Sequence, residues 1–397
     1  MNANEPANLR HFYAVAEIAR QGSVRRAAGA IHLSQPALTQ ALAQMEQALG
    51  QRLFERTHGG MAATPATRLL VERIDRAFAS LRAAEKLFDG APLHRLVTRI
   101  QLQALIAGVD SDSISVAARR LETHQPSVTR AIRDLETLCG RPLFNRSSHG
   151  IEATREAREL ARHASLALAE LKQGLDAFRE SHGQIDGRIV VGSLPLARST
   201  LVPMAVTRLL ARYPDVKLRV VDGPYLEMLH ELRSGRLDMI VGALRSPPPA
   251  DIRQEMLFND ALSLVVRPGH PLCAKHGVTP DDLAALDWVL PPEGTPARRL
   301  FQGYLATQKL DPPRHVIECS SLVAVRGLLQ RSDRAALLSL AQVGYEVETG
   351  QLAVLGNPLP ETERPIGLAL RADWRPTLAQ DSFLGLLKEI VGEGFSA

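Results

Sequence analysis

Gln35, Thr39 and Gln40 stand in the stretch Ser34-Gln35-Pro36-Ala37-Leu38-Thr39-Gln40-Ala41-Leu42, which returns ninety residues later as His124-Gln125-Pro126-Ser127-Val128-Thr129-Arg130-Ala131-Ile132. The chemistry such side chains offer is hydrogen bonding to base edges and phosphates. Glutamine carboxamides suit the edge of adenine, and arginines such as Arg130 and Arg133 pair bidentately with guanine O6 and N7 or grip phosphates. To present these groups the stretch must be a helix. Ser34 is a good N-cap, and Pro36 falls in the first turn, where its missing N–H costs nothing. Leu38, Leu42 and Met45 are spaced four and three apart and form one apolar face, which leaves Gln35, Thr39 and Gln40 off it. Copy two carries Arg130 and Arg133 where copy one has Gln40 and Ala43, so copy two is expected to supply more of the salt-dependent affinity for DNA. The plainer reading is that these arginines, with Asp134 and Glu136 close by, solvate an exposed face.

The echo extends well beyond the two helices. A gapless shift of 90 positions matches Ser23 with Ser113, Ala27-Ala28 with Ala117-Ala118, Gln35-Pro36 with Gln125-Pro126 and Thr39 with Thr129. The match continues through Glu46 and Glu136, Gly50 and Gly140, Leu53-Phe54 and Leu143-Phe144, Arg56 and Arg146, Gly60 and Gly150, and Ala63-Thr64 and Ala153-Thr154. Two copies are too few for a solenoid, so the pattern means a duplicated small domain. Within copy one, Leu9, Phe12, Val15 and Ala16 give a first helix, Gly22-Ser23 ends it and caps a second, and the Gln-Pro helix follows. Helix, tight turn and helix is the unit that lays its second helix in the major groove. The stretch Arg56-Thr57-His58-Gly59-Gly60 reads as a hairpin tip between short strands, with a basic character suited to phosphates. Arg146 and His149 take that place in copy two.

At 397 residues the chain is too long for one core, and about two to four domains are expected. A formal charge of +4 permits a nucleic-acid partner without demonstrating one. Cys139, Cys273 and Cys319 are odd in number and widely separated, which suits reduced thiols in the cytoplasm and no metal site. No run of about 18 apolar residues exists, so the chain is not expected to be embedded in a membrane.

Two apolar stripes follow the copies. Leu70, Ile74, Ala77, Leu81, Ala84 and Phe88 recur at alternating steps of four and three, the spacing of a coiled-coil seam. Ala157, Leu160, Ala164, Ala167, Leu171, Leu175 and Phe178 give a similar stripe with one stutter. Each could join subunits or merely pack on its own domain. From Arg188 onward, β-branched runs alternate with helical patterns. Ile189 to Gly192, Val216 to Val221 and Leu237 to Gly242 read as strands with helices between, which predicts parallel sheets covered on both faces. Leu262 to Arg267 and Ile366 to Arg371 read as strands flanking an inserted second lobe, and two lobes with a cleft between them suit a small ligand.

The joint pattern of Ala27-Ala28, Ser34-Gln35-Pro36-Ala37-Leu38, Leu42, Glu46, Leu49-Gly50, Leu53-Phe54-Glu55-Arg56-Thr57 and Thr64 resembles the LysR-type family of bacterial transcriptional regulators. The carboxy-terminal half is similar to the effector domain of that family through Leu201-Val202-Pro203, Tyr213-Pro214-Asp215-Val216, His270-Pro271-Leu272 and Trp288-Val289-Leu290. The resemblance implies a periplasmic-binding-protein-like pair of lobes, and a linker helix that pairs antiparallel between subunits of a homodimer or homotetramer. A tandem pair of DNA-binding domains departs from the family's usual plan. So does Ser332-Asp333-Arg334-Ala335-Ala336-Leu337-Leu338, where a glycine-rich turn is common.

The expected architecture is therefore multidomain. Two α-rich winged helix-turn-helix domains (7–65 and 92–155) with linker helices (66–91 and 156–183) precede an α/β two-lobed effector domain (188–395), its second lobe inserted at about 266–366. The expected contacts with double-stranded operator DNA are Ser23, Ser34, Gln35, Pro36, Ala37, Thr39, Gln40, Arg56 and His58 in copy one. In copy two they are Ser113, His124, Gln125, Pro126, Ser127, Thr129, Arg130, Arg133, Arg146 and His149. A small-molecule effector is expected at strand ends and helix starts. Leu196, Ala197 and Arg198 open the first helix of the domain, whose free N–H groups favour an anion. Tyr225 starts the next helix, Ala243 and Arg245 follow the third strand, and Ser320 and Ser321 follow the strand His315 to Cys319. Two arginines in this set make a carboxylate-bearing metabolite the expected effector. No cofactor and no catalysis are expected: His230, His270 and His315 are isolated, and neither a nucleophile elbow nor a phosphate loop is present. The competing readings are a ligand-independent DNA binder, and a two-lobed solute-binding or catalytic protein with acquired DNA contacts.

Overall fold

Caps and apolar faces set the first helices of the computed structural model, which describes residues 8–58, 60–147 and 150–394. Copy one comprises α1 (Leu9–Gln21), α2 (Val24–Ala30), α3 (Gln35–Leu49) and a hairpin of β1 (Phe54–Thr57) and β2 (Gly60–Ala63), followed by α4 (Pro65–Glu85). Copy two repeats the plan with α5 (Leu93–Leu96), α6 (Arg99–Val109), α7 (Ile114–Arg120), α8 (Gln125–Cys139), β3 (Phe144–Ser147), β4 (Gly150–Ala153) and α9 (Arg155–Glu180). The Ser23, Ser34, Thr64 and Thr154 side chains each accept a backbone N–H in the first turn of the helix they precede. Ser113 and His124 hold the corresponding positions before α7 and α8 without a side-chain cap bond. A serine in place of His124 would supply the bond that Ser34 makes in copy one.

The hairpin docks on the turn between the first two helices of each copy. Met61 N–H donates to the Gly22 carbonyl at 2.9 Å, and Ile151 N–H donates to the Asp112 carbonyl at 3.1 Å. That approach requires glycine beside it. A Cβ at Gly60 would lie 2.4 Å from the Gly22 oxygen and one at Gly150 would lie 2.5 Å from the Asp112 oxygen, with φ at +129° and +140°. Gly60→Ala and Gly150→Ala are each expected to destabilise by about 1–3 kcal/mol. Urea unfolding measures this, and a wild-type midpoint would mean that the turn can retreat.

The chain forms two compact units, Met1–Arg188 with Arg233–Arg236, and the remainder. In the first unit the two apolar stripes meet each other. Leu70, Ile74, Ala77, Leu81 and Ala84 of α4 share one buried cluster with Ala157, Leu160, Ala164, Ala167 and Leu171 of α9. The partner of each stripe is thus the other stripe in the same chain, where the sequence left open a second subunit or the stripe's own domain.

The second unit contains β5 (Arg188–Ser193), α10 (Pro195–Ser199), α11 (Leu201–Arg212), β6 (Lys217–Val221), α12 (Tyr225–Arg233), β7 (Met239–Ala243), β8 (Ile252–Asp260) and β9 (Leu262–Val266). It continues with α13 (Pro280–Ala285), β10 (Trp288–Leu290), α14 (Pro296–Thr307), β11 (Val316–Glu318), α15 (Leu322–Gln330), β12 (Ala335–Ser339), α16 (Leu340–Glu348), β13 (Ala353–Leu355), β14 (Arg364–Arg371) and α17 (Leu378–Gly392). One sheet has the order β6-β5-β7-β14-β8 and the other β11-β10-β12-β9-β13. The sheets are mixed and not purely parallel. β5 pairs parallel with β7, and β10 with β11 and β12, but β14 runs antiparallel to β7 and β8, and β9 to β12 and β13. The reason is the double crossing. β8 leads straight into β9 in the other sheet and β13 leads back to β14, so one strand of each joint opposes its neighbours. Arg364 fastens the joint by pairing with the fully buried Asp260 at 2.9 Å, and Ser339 hydrogen-bonds the same carboxylate. Among the described residues no helix is long and apolar enough to cross a membrane.

Candidate nucleic-acid interface and effector site

α3 buries Leu38, Ala41, Leu42 and Met45 and exposes Ser34, Gln35, Pro36, Ala37, Thr39 and Gln40 on its free side. α8 buries Val128, Ala131, Ile132, Leu135 and Cys139 and exposes His124, Gln125, Pro126, Ser127, Arg130 and Arg133, with Thr129 half-buried. The Thr39 hydroxyl donates to the Gln35 carbonyl at 2.9 Å and Thr129 to the Gln125 carbonyl at 3.0 Å, so each oxygen keeps acceptor capacity facing outward. Arg130 Nε lies 3.8 Å from Asp134 Oδ2, with the two side chains 85% and 55% exposed. Such a surface pair is worth about 0–1 kcal/mol, too little to hold the guanidinium away from a phosphate. Gln125, Pro126, Thr129, Arg130, Arg133 and Asp134 line a shallow, open depression.

Arg56 and His58 are exposed on the hairpin of copy one. The backbone of Arg146 lies in β3, and His149 lies outside the described residues. Ser23 and Ser113 are half-buried at the starts of α2 and α7. Ser23 accepts from Arg26 N–H, and the Ser113 hydroxyl sits 3.0 Å from that of Ser115. The structure adds a positioning pair that the repeat displayed without a role. Glu46 accepts the Leu53 N–H at 2.8 Å, and Glu136 accepts those of Leu143 at 2.8 Å and Phe144 at 3.3 Å, tying each hairpin to its recognition helix. Arg25, Arg26 and Arg52 are also exposed in copy one, and a reading confined to the Gln-Pro helix passes over them. Cys139, Cys273 and Cys319 are free thiols, and burial, aided by Glu136, pushes that of Cys139 up to about 12.

In the second unit the expected effector residues divide. Tyr225, Ala243 and Arg245 come together with Leu194, Gly242 and Gln254 around a cavity of about 10 Å³, room for one water. The Arg245 guanidinium carbon stands 4.2 Å from the Tyr225 ring centre. Its backbone N–H donates to Gln254 Oε1 at 3.1 Å. Arg245 Nη1 and Gln254 Nε2 are buried without a hydrogen-bond partner among the described residues. Burial lowers the Arg245 pKa, Tyr225 opposes the shift, and Arg299 and Arg364 reinforce it.

The remaining expected residues stand apart from this group. Leu196 and Ala197 are buried core residues of the five-residue α10. α10 is separate from α11, contrary to the single helix expected. The N–H groups supposed to face an anion are reduced by Pro195 and by the bond from Arg198 N–H to the Leu194 carbonyl. Arg198 pairs with Asp222 at 2.6 Å on the surface. Ser321 caps α15, and Ser320 is exposed.

Residues 182–391 match the family described as LysR substrate binding domain. Residues 9–68 and 100–158 each match the family described as bacterial regulatory helix-turn-helix protein, lysR family. The chain belongs to the LysR family, whose members are DNA-binding transcriptional regulators and not enzymes, and it carries the helix-turn-helix region twice. The HTH-type transcriptional regulator GalR of Pseudomonas putida is 34% identical over 393 residues, 98% of each chain. PcaQ of Agrobacterium fabrum, also an HTH-type transcriptional regulator, is 30% identical over 295 residues, which are 95% of that protein but 74% of this chain. The crystal structure of CbnR, a LysR family transcriptional regulator, shares the fold with a TM-score of 0.54 at 18% identity, covering 97% of that chain and 73% of this one. The part of this chain left over beside PcaQ and CbnR is about the length of one repeat.

Proposed function

We propose that this regulator holds operator DNA with both winged helices. A small anionic effector, a carboxylate-bearing metabolite, binds beside Arg245 and changes the affinity for that DNA. The chain works in the cytoplasm and assembles as homodimers or homotetramers through surfaces other than the α4–α9 seam, which is already filled within one chain. The DNA contacts are the exposed side of α3 and of α8, with Arg56 and His58 on phosphates.

The observation that carries the effector reading is the state of Arg245. A buried guanidinium is costly unless an anion and hydrogen bonds compensate it. Arg245 has an aromatic face from Tyr225 but an unmet donor, and its charged neighbours Arg299 and Arg364 repel it. Among the described residues only Arg364 of these three is neutralised, by Asp260. A carboxylate there would meet the Arg245 guanidinium, which lacks one. The present cavity holds no more than a water, so binding requires the walls to part, and that movement is the means of signalling. The ligand shifts DNA affinity only to the extent that it favours one arrangement over the other.

Thermal unfolding of the full-length protein against a panel of mono- and dicarboxylates is the test. A ligand at 100 times its Kd adds about 2.7 kcal/mol of stability. Arg245→Met is expected to remove that gain. If no carboxylate stabilises the protein, or if Arg245→Met responds like wild type, the effector reading fails.

A further inference from the structure

We propose that one chain is a complete two-headed DNA reader. α4 and α9 join its two winged helices about an internal two-fold axis, and the pair recognises an inverted repeat whose halves differ at one fixed position. The proposal rests on the reading that both recognition helices face DNA.

The seam runs antiparallel. Leu70 lies by Gly174, Arg73 by Glu170 and Ser80 by His163. Under the 90-residue repeat, the counterpart of Arg73 is His163 and that of Ser80 is Glu170. The two contacts therefore use the same pair of positions with the roles exchanged, which is what a two-fold axis produces. The axis passes by Ala77 and its own counterpart Ala167, both about 1% exposed.

The chemistry on the two sides of the axis is different, and it specifies the partner. On one side the buried Glu170 carboxylate accepts from Arg73 Nη1 at 2.8 Å and from Arg76 Nε and Nη2 at 3.1 Å. On the other, His163 Nδ1 and the Ser80 hydroxyl stand 3.1 Å apart, and Ser80 also donates to the His163 carbonyl at 3.1 Å. A pair of α4 helices from two chains would set Arg73 against Ser80 twice, with no carboxylate. It would also put Ala84, the counterpart of Gly174, opposite Leu70. Here a Cβ at 174 would lie 2.8 Å from Arg73 Cβ and 3.1 Å from Leu70 Cδ1, whereas the equivalent place on the other side of the axis holds Ala84 with its Cβ, so what that arrangement lacks is charge balance. The family's pairing of linker helices is thereby written into a single chain.

Helices related by a two-fold axis read inverted half-sites. α3 and α8 present the same Gln-Pro and threonine, so most of the two half-sites should agree. They part at Ser34 against His124, at Ala37 against Ser127, at Gln40 against Arg130 and at Ala43 against Arg133, and the exchange of one base-reading side chain for another is that of Gln40 and Arg130. Glutamine suits adenine and arginine suits guanine. The operator is then an imperfect inverted repeat, adenine on the copy-one side where guanine stands on the copy-two side, and the chain binds it in one orientation.

The full-length chain tests this in two ways. In Ser80→Cys with His163→Cys, mild oxidation is expected to close a link within one chain, giving a species of monomer mass that still binds operator; each single variant is the control. Links between chains as the main product would overturn the internal pairing. On DNA selected from a random pool, one inverted repeat is expected to be bound per chain, counted by native mass, so that a homodimer takes up two. Inserting about five base pairs between the halves is expected to weaken binding about 100-fold, because rigid linkage of two sites contributes about 10²–10⁴ in avidity. Arg130→Gln combined with Arg133→Ala is expected to abolish the preferred orientation. A single protected half-site per chain, or undiminished affinity after insertion, overturns the proposal. Failure of the wild-type chain to bind any selected DNA would instead overturn the reading beneath it.

Discussion

Glu170→Ala is expected to lower the stability of the DNA-binding unit by about 3–5 kcal/mol, the usual loss when one partner of a buried ion pair is removed. Glu170 is 2% exposed and Arg73 5%, so the guanidinium could not recover water when its carboxylate is gone. Calorimetry of the full-length protein should show the transition of this unit moving while that of the effector unit stays in place. Arg73→Leu combined with Glu170→Leu should recover much of the loss, since a well-packed apolar pair often replaces a buried ion pair without penalty. A near-wild-type transition in Glu170→Ala would mean that water reaches the seam. The pH dependence has a definite sign. Burial alone would raise the Glu170 pKa, but Arg76 and Arg73 outweigh it and hold the carboxyl below its ordinary value. The stabilisation is therefore fully present above the unfolded-state pKa of about 4.3 and is lost as pH falls through the lower folded value.

Arg130→Ala with Arg133→Ala is expected to weaken operator binding by about 10- to 1000-fold and to flatten the logarithmic salt dependence by about two, one for each positive charge removed from the interface. Fluorescence anisotropy over a range of salt concentrations measures both quantities. The matching change in copy one, Gln40→Ala, removes no charge and should alter base preference with the salt slope unchanged. If the double arginine variant kept the wild-type slope, the two side chains would be solvating the surface of α8 and nothing more.

The repeat made the DNA-binding half readable in outline. A Gln-Pro start, capped by serine in copy one, an apolar face at steps of four and three and a glycine stop together allow only a short helix with one free side, and α3 and α8 are that helix. What the stripes after each copy would meet was not readable. Apolar periodicity says that a face will be buried and gives no address for the surface that covers it. Nothing in the sequence sets Arg73, Arg76 and Glu170 apart from the other charges of the two helices, and only their pairing in the fold does so. In the effector half, Arg198 and Arg245 looked equivalent, each just past a strand or at a helix start. Asp222 neutralises one at the surface, while the other is half-buried over the Tyr225 ring. That difference depends on residues brought together by the fold. The strand directions were missed for a related reason, because a strand that crosses between sheets has the same composition as one that does not.

Joining α4 to α9 through continuous polypeptide also alters how the DNA-binding half responds to dilution. Two separate chains must find one another before a paired reader exists, so scarcity depletes it as the square of concentration. Here the second helix is supplied by the same chain, through the folded second copy, at an effective concentration that dilution does not change. The paired reader persists at a copy number of a few molecules per cell, where subunits held only by mutual association would have come apart.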